Sequence, residues 1–269
     1  MPPTLTPFAQ RASSLPVVFA SPAMFWTAVL TLLFAALSWW PVRGYPPDAP
    51  LHHDILSPIL ALELPHSAQD FAITLEPPGS AAQPIRAAFE RSLEFDFALI
   101  VSCACFLFVS WRVLFLRRPA SIAVLIAFAA LCDLLENLRL LAALHTPLTA
   151  LTDAQAGGIR LVSTLKWAAL SALALCFAAG LTKIEWRPLR RPGTGLLAIE
   201  LMLAALLGFT GLNSELPGTS WQPGWFSHRH LETFVVLFSA LPLFAIASGA
   251  AAALPFRRRP PAQTAAAGI

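Results

Sequence analysis

Residues Ala120 to Leu144 read ASIAVLIAFAALCDLLENLRLLAAL. An unbroken apolar run cannot be divided between helix and strand by periodicity, so length decides. Twenty-five residues of helix extend about 38 Å, enough to cross a hydrocarbon layer of ~30 Å, whereas a barrel strand needs only ~9–11 residues. In lipid only helices and closed barrels satisfy the backbone, so the run reads as a transmembrane helix. Working outward, five more runs have this character: Met24–Trp40, Phe95–Leu116, Leu161–Leu181, Gly195–Leu212 and Leu231–Leu254. The predicted fold is all-α, a polytopic membrane protein with a six-helix transmembrane bundle over residues 24–254.

Composition agrees. Of 269 residues, 57% are hydrophobic and only 12% are charged, about half the roughly 25% typical of soluble domains. That excludes a soluble globular enzyme, a nucleic-acid module and a disordered chain. The four cysteines, Cys103, Cys105, Cys132 and Cys176, fall inside apolar runs without a CxxC pair and read as small buried hydrophobes.

Orientation follows from the basic residues. With the N-terminus inside, the inner segments collect Arg11, Arg112, Arg117, Arg118, Lys183, Arg187, Arg190, Arg191 and Arg257 to Arg259, whereas the outer segments hold Arg43, Arg86, Arg91, Arg160 and Arg229. Both termini are therefore expected in the cytoplasm: a segment at 1–23 leading into an uncleaved signal-anchor, and a disordered tail at 255–269. Trp39, Trp40, Trp167, Trp221 and Trp225 are predicted to mark the outer membrane boundary, and Trp26, Trp111 and Trp186 the inner one.

The one sizeable extramembrane piece is an outer loop of about 50 residues, 41–94. Its proline-rich first part reads as irregular. Ser67 is a predicted N-cap for a short amphipathic helix whose Phe71, Ile73 and Leu75 would rest on the membrane surface, with Pro77-Pro78-Gly79 stopping it. From Pro84, at a first helical position, a helix is expected to run unbroken into the second span. Pro242 is expected to kink the sixth.

Ionisable groups at bilayer depth cost about 2.5–3.5 kcal/mol each on insertion scales, so they seek partners or water. Asp133, Glu136 and Asn137 are spaced i, i+3, i+4 and share one face of the third span, while Arg139 points elsewhere. Glu136 lies about 12 Å and Lys166 about 8 Å below the outer ends of their spans, within reach of each other along a lysine stem. Asp96 opens the second span on the same side. Asp96, Asp133, Glu136, Asn137 and Lys166 thus form the predicted intramembrane polar network. It reads either as a structural ion-pair lock or as a ligand or ion site. Glu200, in the inner half of the fifth span, has no predicted partner.

His228, His230 and Glu232 are weak candidates for a metal, because an HxH pair does not complete a ligand set. No P-loop, nucleophile elbow, HExxH or glycine-rich fingerprint occurs, so no cofactor and no named catalytic residue are expected.

One stretch, Leu62 to about Leu175, resembles a recurring type of uncharacterised bacterial integral membrane protein. The likeness is carried by Leu62-Glu63 and Ser67–Leu75, the acid-led Leu93-Glu94-Phe95-Asp96, the Asp133-Leu-Leu-Glu136-Asn137 motif, and Leu165-Lys166-Trp167. The resemblance implies a bacterial cytoplasmic membrane location and transfers no activity. Three functions remain open, in this order. The first is a non-catalytic bundle, organised by its buried charges, that binds a lipid or a protein partner or a second copy of itself. Alanine and serine at four-residue spacing (Ala168, Ala172, Ser248, Ala252) permit such close helix contacts. The second is an outward-facing proton- or cation-coupled carrier using Asp133 or Glu136. The third is a metal-assisted enzyme acting on lipid headgroups through His228 and His230. Nucleic acid is not an expected partner.

Overall fold

The computed structural model describes residues 21–49, 51, 55–79, 81–115, 119–184, 192–213 and 229–253. The chain up to residue 20, the basic segments 116–118 and 185–191, the tail 255–269, His52, His53, His228, Trp186, Trp221 and Trp225 lie outside them. The described residues form helices, with no strand among them.

The apolar runs become helices α1 (Pro22–Trp39), α4 (Ala82–Leu114), α5 (Ala120–Leu144), α6 (Asp153–Ile184), α7 (Pro192–Asn213), α8 (Arg229–Phe238) and α9 (Ala240–Ala253); between α1 and α4 lie α2 (Pro58–Glu63) and α3 (Ala68–Leu75). Five helical segments are long and apolar enough to cross a membrane: Pro22–Gly44, Ala82–Leu114, Ala120–Leu144, Asp153–Leu181 and Arg229–Ser248. Within α7 the apolar stretch Gly195–Gly211 is shorter than these. This is a membrane-embedded, multi-pass helical protein. Its polarity is inverted relative to a soluble domain: α5 exposes Leu131, Leu134, Leu135 and Leu138 while burying Glu136 and Asn137.

Packing follows chain order and closes on itself. Helix α1 packs on α4, α4 on α5, α5 on α6, α6 on α7, α7 on α8, and α9 returns to α1. Helices α6 and α7 pack tightly at Gly208, where an added Cβ would overlap Ser171 Oγ and lie 3.1 Å from Phe234, so that a side chain there would force Ser171 to shift. Pro242 has no amide to offer the Phe238 carbonyl, and the last span breaks at Ser239 into α8 and α9.

At the end away from the 41–94 loop, Met24, Phe106, Trp111, Ile126, Phe177 and Leu201 pack into an apolar floor. Trp111 is buried in this floor rather than placed at a lipid boundary. Trp167 is likewise buried, at 8% exposure, inside the bundle. Both depart from the expected aromatic belt, because each has found a protein partner for its ring. Trp26, Trp39 and Trp40 are exposed.

The loop is more ordered than its prolines suggested. Ser57 caps α2, its Oγ accepting from Leu60 N, and Pro58 takes the first helical position. Ser67 caps α3, accepting from Asp70 N at 3.1 Å, while Asp70 accepts in return from His66 N at 3.1 Å. The turn after α3 passes through Gly79 at φ +79°, a conformation that glycine adopts without strain. The apolar face of α3 does not rest on the membrane surface. Phe71 and Leu75 are buried against Leu62, Phe89, Leu93, Leu140 and Ile159. This surface exists because α4 runs unbroken from Ala82 and α6 begins at Asp153, two turns before the expected span, so both offer walls above the bundle. Tyr45 ties the loop down further by donating to the Thr74 carbonyl at 3.0 Å; burial pushes its phenol up to about 12.

Candidate functional site

Lys166 lies on the inward face of α6 with its side chain only 5% exposed. Its ammonium donates to Glu136 Oε1 at 2.6 Å and to Glu63 Oε2 at 3.0 Å, and stands 3.2 Å from Asp133 Oδ1. The i, i+3 spacing on α5 delivers Asp133 and Glu136 from one helix face. Asn137, one residue further, turns to α4 and donates to Asp96 Oδ2 at 2.7 Å. Ser38 Oγ of α1 lies 3.5 Å from the other Asp96 oxygen, and Ser92 Oγ donates to the Ser38 carbonyl at 2.7 Å, holding α1 against α4. Four helices and α2 therefore meet in one polar cluster of four carboxyl groups and one ammonium.

Glu63 joins this cluster from the outer loop, beyond the five residues of the predicted network. It ends α2, whose Leu60, Ala61 and Leu62 are buried. Its Oε2 accepts from Trp167 Nε1 at 3.2 Å as well as from Lys166. Burial pushes the Glu63 carboxyl above its ordinary value, and the Lys166 ammonium pulls in the opposite direction. A signal for it was present: Ile59-Leu60-Ala61-Leu62-Glu63-Leu64 sets an acid in a short apolar run of the loop. Its partner stands 103 residues away in the chain, which no local pattern can name.

Glu136 is fully buried, and its Oε2 has no hydrogen-bond partner among the described residues. Asp133 is the most open of the three acids on Lys166, at 25% side-chain exposure. It faces a half-open cavity of about 550 Å³. Glu63, Asp96, Asp133, Lys166 and Glu232 line this cavity together with hydroxyls such as Ser38 and apolar residues such as Leu32, Leu99, Phe106, Leu170 and Phe238. The volume lies within the ~300–1,000 Å³ range of small-molecule sites, which are mostly apolar with a few convergent polar groups.

The chain matches no known protein family, curated protein or solved structure. What the site does must be argued from its own geometry.

The structure brings Asp96, Asp133, Glu136, Asn137 and Lys166 together and adds Glu63. The two described metal candidates, Glu232 and His230, have partners of their own. Glu232 Oε1 accepts from the backbone amides of Leu56 and Ser57, both at 2.7 Å, which fastens α8 to the entry of α2. His230 Nδ1 lies 3.2 Å from Thr210 Oγ1 on α7. Among the described residues no group of three histidines, cysteines or acids is placed to hold a metal ion, and His228 lies outside them. Arg139 leaves the polar face, as its spacing requires, and donates to the Gly158 carbonyl at 2.5 Å. Glu200 is half-buried on α7 and makes no ion pair among the described residues.

Proposed function

We propose that this protein is a non-catalytic, amphiphile-binding membrane protein, in which the Lys166 network fixes the helix ring and so holds open a cavity for a lipid-like molecule. The observation that carries this reading is the mixed wall of the cavity. The ionisable groups of the Lys166 network share it with a larger number of aliphatic and aromatic side chains, which suits a molecule with a polar head and an apolar body. The network is rigid enough for the task, since every member except Asp133 is tied by at least one hydrogen bond.

In this reading α7 is counted as a sixth crossing. Its 22 residues extend about 33 Å, and it packs between α6 and α8, two segments that qualify as spans. The distribution of basic residues supports cytoplasmic termini, which puts the cavity's polar end towards the outer leaflet. The resemblance to bacterial integral membrane proteins supports the cytoplasmic membrane of a bacterium as its location.

The test is saturable binding. The full chain is placed in nanodiscs of zwitterionic lipid and titrated with a bromine-terminated alkyl amphiphile that quenches tryptophan. Trp39 and Trp167 both line the cavity and report occupancy. Saturable quenching that is lost in the cavity-filling variant Ala35→Phe supports the reading; quenching that rises linearly and equally in both proteins overturns it.

A carrier remains a second reading because four carboxyl groups share one ammonium, and such a surplus suits a proton or cation passing through. Proteoliposomes that dissipate an imposed pH gradient, with Asp133→Asn abolishing the flux, would favour it over passive binding.

A further inference from the structure

We infer that the headgroup accepted by the cavity is a protonated amine. The inference rests on reading the cavity as an amphiphile site and goes further by naming the class of head.

Among the described residues Lys166 is the one lysine or arginine on the cavity wall. It is already engaged: it donates to Glu136 and Glu63 at 2.6 and 3.0 Å and pairs with Asp133 at 3.2 Å. The neighbouring donors are committed as well: Trp167 Nε1 to Glu63 and Asn137 Nδ2 to Asp96. A phosphate or carboxylate head entering here would meet acids, with no free lysine or arginine among the described lining residues to receive it.

The acceptors are in the opposite condition. Asp96 has no cation within ion-pair distance among the described residues; an amide and a hydroxyl are its named partners. Asp133 opens onto the cavity, and its ion pair with Lys166 is its one polar contact among the described residues. Glu136 Oε2 is buried behind them, off the cavity wall, and has no hydrogen-bond partner among the described residues. Carboxyl groups that outnumber the cations beside them in a low-dielectric setting call for a group that brings both positive charge and N–H bonds. A divalent metal ion does not fit. The carboxyls converge on the Lys166 ammonium, which occupies the point a metal would need and repels it. The apolar remainder of the wall gives an organic amine somewhere to put its body.

The test compares three amphiphiles of equal chain length on the unaltered protein in nanodiscs at neutral pH: a bromine-terminated decylamine, decanol and decanoate. The amine is expected to bind saturably and at least tenfold more tightly than the alcohol, with the carboxylate weakest. Asp96→Asn and Asp133→Asn, which keep side-chain shape, are each expected to erase most of that margin. Equal binding of amine and alcohol, or tighter binding of the carboxylate, overturns the amine assignment while leaving the cavity as an amphiphile site. An amine preference that both asparagine variants retain in full also overturns it, because the preference then arises elsewhere. Saturable binding by none of the three removes the amphiphile reading itself. The headgroup comparison uses the native sequence and does not depend on any variant folding.

Discussion

Replacing Lys166 with methionine isolates the energetics on which the bundle depends. At an effective dielectric of about 20, a charge pair at the 2.6 Å separation of Lys166 and Glu136 attracts by roughly 6 kcal/mol. Desolvation of each buried ion costs several kcal/mol, so the assembled network nets little. Breaking it is a different matter. Methionine preserves the stem but removes the ammonium, leaving Glu63, Asp133 and Glu136 facing one another with their desolvation uncompensated. The expected loss is about 3–5 kcal/mol, or roughly two to three and a half powers of ten in the unfolding constant. An ordinary interhelical hydrogen bond in a membrane protein averages about 0.6 kcal/mol, so the two accounts are well separated. Adding Glu136→Gln to Lys166→Met removes one of the stranded charges. The double variant should therefore fall short of additivity by about 1–3 kcal/mol. Reversible unfolding in mixed micelles, followed by far-ultraviolet circular dichroism, measures all four corners of the cycle. A Lys166→Met variant within about 0.6 kcal/mol of the native protein, or a strictly additive double variant, refutes the argument.

Three further outcomes are expected. The chain has a single tyrosine, so its phenolate absorbance can be followed cleanly. The folded protein should titrate near 12 rather than near the unfolded value of about 10. Because the folded value is the raised one, Tyr45 stabilises fully below the unfolded value and loses its contribution as pH climbs through the folded one; a folded midpoint near 10 contradicts its burial. Phe71→Ala should cost about 3–5 kcal/mol if Phe71 fills the core seen here, and much less if α3 lay on lipid, which micelle unfolding distinguishes. Glu232→Ala should speed amide exchange at Leu56 and Ser57, with Glu232→Gln closer to the native protein; unchanged exchange in Glu232→Ala denies the tether between α8 and α2.

Much of this molecule was legible along the chain, for reasons that can be named. The third apolar run, read as Ala120–Leu144, is α5 residue for residue, because lipid admits no alternative to a hydrogen-bonded helix and Arg117-Arg118-Pro119 interrupts the apolar sequence before it. The spacing of Asp133, Glu136 and Asn137 placed them on one face without any knowledge of the neighbours. The Ser67 cap and the continuous entry of α4 into its span were local matters of side-chain chemistry. Less was legible where partners come from afar. Pro58 marked a break in the loop, yet it starts a helix, since Ser57 before it and the Glu232 carboxylate from α8 satisfy amides that a free helix of six residues would leave bare. Trp167 looked like a boundary residue until Glu63 supplied an acceptor for its indole N–H.

The amino-acid order by itself determined that the chain crosses a membrane as helices and which polar groups those helices carry inward, because helix pitch and the cost of charge in hydrocarbon act residue by residue. Only the tertiary structure decided that α2 brings Glu63 to Lys166, that Glu232 serves backbone amides, and that the helices frame a half-open cavity. Each of those contacts joins residues roughly a hundred or more positions apart, and their pairing exists only once the ring has closed.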